Sequence, residues 1–477
     1  MLFNSLTYLY FFTSFFFIYW FVCKSMKLQN QLLFVSSYIF YGFWNWKFTF
    51  LLFFSTILDF YTGNKIYESK NKKIWLTISL SINFGFLALF KYFNFFSEAI
   101  SQLLSSIGLK VDTITLEIIL PVGISFYTFH GVSYVLDIYN TKIKPETKFT
   151  NYAVFVSFFP LLVAGPIERA SHLLPQIIKA RQFDYNKAIS GLKQILWGLF
   201  KKVVIADTCA YYTDTIFNNL YDHSGTTLLL GAIMFSFQIY GDFSGYSDIA
   251  SGSARLLGFE LIKNFNFPYF SKSLAEFWKK WHISLSSWFK DYVYIPLGGN
   301  KSKMYRNILI IFLLSGFWHG ANWTFIVWGA VNAFFVMLSA PISKWLINKE
   351  MDQKTFVKIV RVLLTFSLTT LIWVLFRSEN INKAIYFYAT LKNSIFSLTS
   401  YSQTLEFISK NPILNITITL ILFLLVEFKG RNNLYAIEYI QFKNKVLSST
   451  FYYAIISMVV YYLLAIQYNP NFIYFQF

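Results

Sequence analysis

Between Asn307 and Ser343 the chain carries no Asp, Glu, Lys or Arg, and its only ionisable side chain is His319. A run this long without charge cannot form the surface of a water-soluble domain. At about 1.5 Å of rise per residue it can cross a hydrocarbon layer of about 30 Å nearly twice. On a helical path His319 lies about 20 Å along it from Arg306. An imidazole at that depth is costly unless it faces a cavity or a partner, which makes it a candidate functional group. The competing reading is a histidine that only hydrogen-bonds a neighbouring helix.

The remainder of the chain has the same character. Its 477 residues are 56% hydrophobic and 22% aromatic, and only 13% are charged, against about 25% in a soluble domain. The apolar runs are continuous rather than alternating, so the expected class is an all-α polytopic membrane protein and not a barrel. A net charge of +18 could suit nucleic acid. The basic residues, however, cluster in short loops between apolar runs, as cytoplasmic loops do, so no nucleic-acid partner is expected and membrane lipid is. Cys23 and Cys209 form no CxxC and no metal-ligand spacing, so they read as packing residues and no metal site is expected. The 6–23 run lacks a basic lead and a small-residue cleavage site, so it reads as a retained helix.

Apolar runs near 6–23, 31–43, 48–61, 74–90 and 115–139 predict helices, with an interfacial corner at Trp44-Asn45-Trp46. Lys65, Lys70, Lys72 and Lys73, and the set from Lys142 to Lys202, are placed inside, which puts the N-terminus outside. Residues 92–113 then fall outside, along the surface. Residues 151–165, short and broken by Pro160 and Gly165-Pro166, fit a re-entrant or interfacial segment. Spans near 203–219, from Thr226 onward, and near 307–322, 324–343, 356–376, 411–427 and 450–467 complete the chain. The expectation is about 11–12 transmembrane helices, with the C-terminus also outside.

Residues 277–299 are too polar to span lipid freely and too aromatic for a solvated loop, which suits the lining of a water-filled recess. His282 lies within this segment; alone, it would read as an interfacial anchor. Asp242 and Asp248, just past an apolar run, could orient a histidine or pair with basic residues, but satisfying a helix end is the preferred reading.

Several segments then fall into a recognisable order. They are Trp44-Asn45-Trp46, the Pro121 to Phe129 and Phe159 to Arg169 stretches, and Tyr240-Gly-Asp-Phe-Ser-Gly-Tyr-Ser-Asp248. Trp281-His282 through Pro296-Leu-Gly-Gly299, Phe317-Trp-His319-Gly and the terminal 471–477 follow. Together they resemble the membrane-bound O-acyltransferase (MBOAT) family, in its bacterial alginate and peptidoglycan O-acetyltransferase group. The resemblance implies a bundle of transmembrane and re-entrant helices around a central cavity. It also implies one integral-membrane domain over 1–477, with N-terminal helices 1–110, a catalytic core over 115–345, and C-terminal helices 356–467 ending in 471–477.

By this resemblance His282 and His319 mark the reaction centre, His319 as general base and His282 orienting or hydrogen-bonding a thioester. The donor is then acetyl-CoA, with no permanently bound cofactor. Lys279, Lys280 and Lys290 could attract its phosphates at the inner side, although orientation by the positive-inside rule explains them equally well. Tyr474 matches a C-terminal acyl-accepting motif; on composition alone it is an interfacial aromatic. His130 stands where this group would have Gln, and His172 and His223 match no motif. The implied activity is O-acetylation of an extracytoplasmic cell-wall or surface polysaccharide, from the cytoplasmic (inner) membrane, through an esterase-like partner transferase. D-alanyl transfer to teichoic acid is the alternative within the family. A transporter or flippase of a lipid-linked glycan is the alternative outside it, but no repeated halves are visible.

Overall fold

Continuous apolar runs leave backbone groups little to bond except their own chain, and every regular element among the described residues is a helix. The computed structural model describes residues 1–109, 113–116, 119–163, 165–411, 413–440, 442, 444–465, 470 and 472–473. These fall into two compact units, Met1–Gly191 with Ser253–Ile262, and Leu192–Gly252 with Lys263–Phe477.

The first unit holds α1 (Leu6–Phe17), α2 (Met26–Asn45), α3 (Lys47–Glu68), α4 (Lys72–Leu87), α5 (Phe93–Ser106), α6 (Ile124–Tyr139), α7 (Phe149–Ser157), α8 (Phe159–Leu162) and α9 (Ala170–Ile178). Trp46 alone separates α2 from α3, as the expected corner requires. Among the described residues of the run expected over 115–139, the helix starts at Ile124. Gly123 breaks it with φ 76, and a Cβ there would lie 2.2 Å from the Leu162 carbonyl oxygen. The short α7 and α8 meet at Phe158 and are buried along most of their length, in keeping with a re-entrant segment. His130 is buried, and its Nε2 accepts the Glu168 N–H at 3.1 Å. The Glu168 carboxylate in turn accepts the Ile262 N–H at 2.6 Å and contacts His172 Nδ1 at 2.7 Å. Both histidines thus contact Glu168, one at its backbone N–H and the other at its carboxylate. Cys23 and Cys209 are buried and unbridged, as expected of packing residues.

The second unit is built around α10 (Tyr185–Leu199), which enters it at Leu192, and a π-helical stretch, Phe200–Ala206, that leads into α11 (Asp207–Asn218). No loop precedes residue 203, so Lys201 and Lys202 sit inside a continuous helical run and are buried, not loop cations. Then come α12 (Gly225–Leu256), α13 (Leu274–Lys280), α14 (Ile283–Phe289), α15 (Met304–His319), α16 (Trp323–Asn348) and α17 (Thr355–Arg377). The unit closes with α18 (Ile381–Ser394), α19 (Leu398–Lys410), α20 (Ile413–Gly430) and α21 (Lys445–Ala465).

Among the described residues, five helical stretches are long and apolar enough to cross a membrane: Lys72–Ser106, Trp323–Asn348, Thr355–Arg377, Ile413–Gly430 and Lys445–Leu464. The chain is a multi-pass membrane protein whose remaining apolar runs fold as shorter or interrupted helices. Helices α15 and α16 pack antiparallel through glycine, as lipid-embedded helices do where backbones must approach closely. A Cβ at Gly316 would lie 2.2 Å from the Phe325 carbonyl oxygen, and one at Gly329 would lie 2.3 Å from that of Phe312.

Candidate active site

The site begins on α12. Gly, Ser and Asp favour turns over helix, yet Gly241 through Asp248 is helical, with residues 241–247 buried and both carboxylates paired with lysines. A Cβ at Gly198 of α10 would lie 2.6 Å from the Gly245 carbonyl oxygen, so the two helices cross backbone to backbone. That crossing brings the π-helical lysines onto the α12 carboxylates. Lys201 Nζ meets Asp248 Oδ2 at 2.5 Å, and Gln194 donates to the other oxygen at 2.8 Å. Lys202 Nζ meets Asp242 Oδ1 at 2.8 Å and Asp207 Oδ1 at 2.7 Å. Buried charge is tolerated only when paired in this way. Asp242 and Asp248 therefore lie in mid-helix, in ion pairs, and do not cap a helix end.

His282 occupies the break between α13 and α14. Its backbone is left-handed, φ 44 and ψ 53, a conformation that is costly for a residue with a Cβ and that gathers at functional sites. The preceding segment clasps the break: Ile283 N–H donates to the Asn264 carbonyl and Asn266 N–H to the Lys280 carbonyl, both at 2.9 Å. Asn264 also holds the ring, with Oδ1 at 3.3 Å from His282 Nδ1, while Ser284 Oγ donates to the same Oδ1 at 2.6 Å. An amide oxygen only accepts, so this contact puts the imidazole proton on Nδ1 and makes Nε2 the acceptor. The Asn264 amide nitrogen donates to Ser247 Oγ on α12 at 3.1 Å. His282 is outside the span-length helices, and burial lowers its pKa from 6.5 to about 3, so the ring is neutral at physiological pH.

His319 is the last residue of α15, and the chain then turns extended at Gly320. Asn322 caps α16, its side chain accepting the Thr324 N–H at 3.0 Å. The His319 ring lies 5.2 Å from Trp328, 5.1 Å from Phe376 and 4.9 Å from Trp318, centroid to centroid. The Trp318 ring also stands 6.0 Å from His282. The two predicted histidines, 37 residues apart in sequence, thus share one indole as a common wall. Trp373 extends this wall, 5.9 Å from Trp328 and 5.1 Å from Trp281.

The other predicted residues fall differently. Tyr474 lies outside the described residues. The two residues before it are described and buried: Phe472 packs on Tyr246 at 4.3 Å and approaches Phe243 at 6.3 Å, and Ile473 N–H donates to Asp242 Oδ2 at 2.7 Å. Lys279 and Lys290 are exposed, and Lys280 pairs with Glu276 at 2.7 Å. Sequence reasoning missed Asn264, a single amide in an aperiodic loop that nothing local marks out. It also missed the Lys201 and Lys202 pairing, although two lysines set in an otherwise apolar stretch before Asp207 could have suggested it.

Comparisons with known proteins bear on this arrangement. A model of the MBOAT, membrane-bound O-acyltransferase family, matches residues 143–378, a span that contains both histidines and the α12 carboxylates. A probable alginate O-acetylase of Azotobacter vinelandii is 36% identical over 82% of this chain and 78% of its own length. A peptidoglycan O-acetyltransferase of Helicobacter pylori is 35% identical over 81% of this chain and 78% of its own. More distantly, a teichoic acid D-alanyltransferase of Bacillus subtilis is 28% identical over 51% of this chain and 65% of its own.

Proposed function

The chain belongs to the membrane-bound O-acyltransferase family, and from that premise we propose that it takes acetyl from cytoplasmic acetyl-CoA and delivers it across the inner membrane to a polysaccharide. The acceptor is peptidoglycan or another surface polysaccharide, reached through an extracytoplasmic partner transferase, with both chain termini on the outer side. That it is an O-acyltransferase follows from the family. The donor, the partner and the acceptor are our reading, and none of these relatives is named as a transporter.

The observation that carries the proposal is the shared indole wall, which puts a neutral imidazole and a second histidine beside the same ring. His319 acts as general base on the attacking hydroxyl; it ends α15, where the carbonyl end of a helix stabilises the positive charge that a base acquires. The attacking group is the Tyr474 phenol. His319 takes its proton, the phenolate oxygen bonds to the acetyl carbonyl carbon, and the carbon–sulfur bond breaks. The CoA thiolate leaves and recovers the proton from the imidazolium. His282 holds the thioester while this happens. The resulting aryl ester keeps the acetyl group activated for a second transfer to an outer hydroxyl.

Mass spectrometry of the C-terminal peptide after incubation with acetyl-CoA tests the sequence of events. The expected result is one acetyl group on the wild type and none on Tyr474→Phe or His319→Ala. Normal polysaccharide acetylation by Tyr474→Phe would show that the final hydroxyl reaches His319 directly.

A further inference from the structure

Phe472 and Ile473 are gripped at two points on one face of α12. Phe472 packs on Tyr246 with the rings tilted 43° from each other, and one helical turn away the Ile473 N–H bonds to Asp242. Asp242 and both tail residues are buried. The carboxylate divides its oxygens: Oδ1 takes the Lys202 ammonium and Oδ2 takes the tail amide. Lys202 is itself fixed by Asp207 at 2.7 Å, so the carboxylate cannot swing without breaking a buried ion pair. Phe243, the neighbour of Asp242, stands between tail and site, 4.6 Å from the His282 ring and 6.3 Å from Phe472.

We propose that Asp242 is a positioning residue: held by Lys202, it docks the C-terminal tail on α12 and so fixes where residue 474 is presented. Successive Cα atoms are about 3.8 Å apart, so an anchored Ile473 amide leaves Tyr474 a short tether. The ion pair orients the acceptor and the tail supplies the donor. A charged acceptor suits this task because it makes a shorter, stronger hydrogen bond than a neutral amide oxygen. The inference rests on the relay reading only in giving the docked tail a purpose; the docking is a separate claim.

Asp242→Asn keeps the shape but offers one acceptor oxygen to two donors. Ile473→Pro leaves every buried charge in place and deletes the amide hydrogen that Asp242 accepts. Hydrogen–deuterium exchange of the C-terminal peptide, with thermal unfolding and self-acetylation from acetyl-CoA, reads the effect. Both variants should exchange that peptide at least about tenfold faster than wild type, because opening becomes local to the tail. Ile473→Pro should keep the wild-type thermal midpoint. Tail acetylation should fall about tenfold or more through turnover, with the Michaelis constant for acetyl-CoA little changed. Wild-type exchange in Ile473→Pro would overturn the docking role, even if Asp242→Asn fails to fold. Release of the tail with undiminished polysaccharide acetylation would leave the docking intact and overturn the Tyr474 relay instead.

Discussion

His282 meets Phe243 edge to face, the ring centroids 4.6 Å apart and the planes 83° from each other. A contact of this kind sets the rotation of an imidazole without using either ring nitrogen. Asn264 supplies what the aromatic contact cannot, a choice of tautomer.

That division of labour predicts the behaviour of Asn264. Asn264→Ala should lower turnover by about tenfold to a hundredfold, the usual cost of losing an orienting partner behind a reactive group. Asn264→Asp retains an oxygen opposite Nδ1 and should recover part of the rate. Steady-state kinetics on acetyl-CoA would check both, and an Asp variant no better than Ala would refute the tautomer role.

His282 can be removed without a backbone penalty. Glycine accepts positive φ freely, so His282→Gly should be more stable than His282→Ala while both lose transfer. The native ring also links stability to pH. Its folded pKa of about 3 lies below the unfolded value of 6.5, so between those values the unfolded chain binds the proton and the folded one does not. Stability should therefore fall as pH drops below about 6.5. His282→Asn should flatten that part of the profile, measured as the thermal midpoint at successive pH values.

Replacing His319 by alanine should cost about 10²–10⁴-fold in rate, the range for a lost general base. The protein should still insert and stay monodisperse, since the ring ends a helix and carries none of its turns. Near-normal acetyl transfer by purified His319→Ala would refute its role.

Exposed Lys290 and Lys279 give a direct test of donor attraction. Lys290→Glu should raise the apparent Michaelis constant for acetyl-CoA with turnover nearly unchanged, and more so at low salt. An unchanged constant leaves only an orienting role for the charge.

How far the sequence foretold this site depended on which kind of signal each residue leaves. His319 was legible because an ionisable group in an uncharged run is costly anywhere, whatever packs around it. The broken helices around Phe158 and at Trp281-His282 were foreshadowed by short apolar length and by mixed polarity. Asn264 was not legible, since its role exists only where a loop crosses a helix break. Lys201 and Lys202 were misread as loop cations because counting positive charge assigns a side, while burial depends on carboxylates 47 and 40 residues further along the chain, Asp248 and Asp242. Gly123 delays the start of the helix expected over 115–139 for a similar reason: the carbonyl it must clear belongs to Leu162.

The crossing of α15 and α16 at Gly316 and Gly329 has a consequence for the range of acyl groups such an enzyme can adopt. Carbonyl oxygens meet the glycine Cα atoms with no side chain between them. A contact made of backbone cannot be retuned by swapping one residue for a slightly larger one; Gly316→Ala should instead force the hairpin apart and cost about 1–3 kcal/mol, visible as a lower thermal midpoint. The height of His319 above α16 is thus a constant of the scaffold. A change in acyl chain length would then have to be met by side chains, such as the Trp318 indole between the two histidines, and not by this backbone contact.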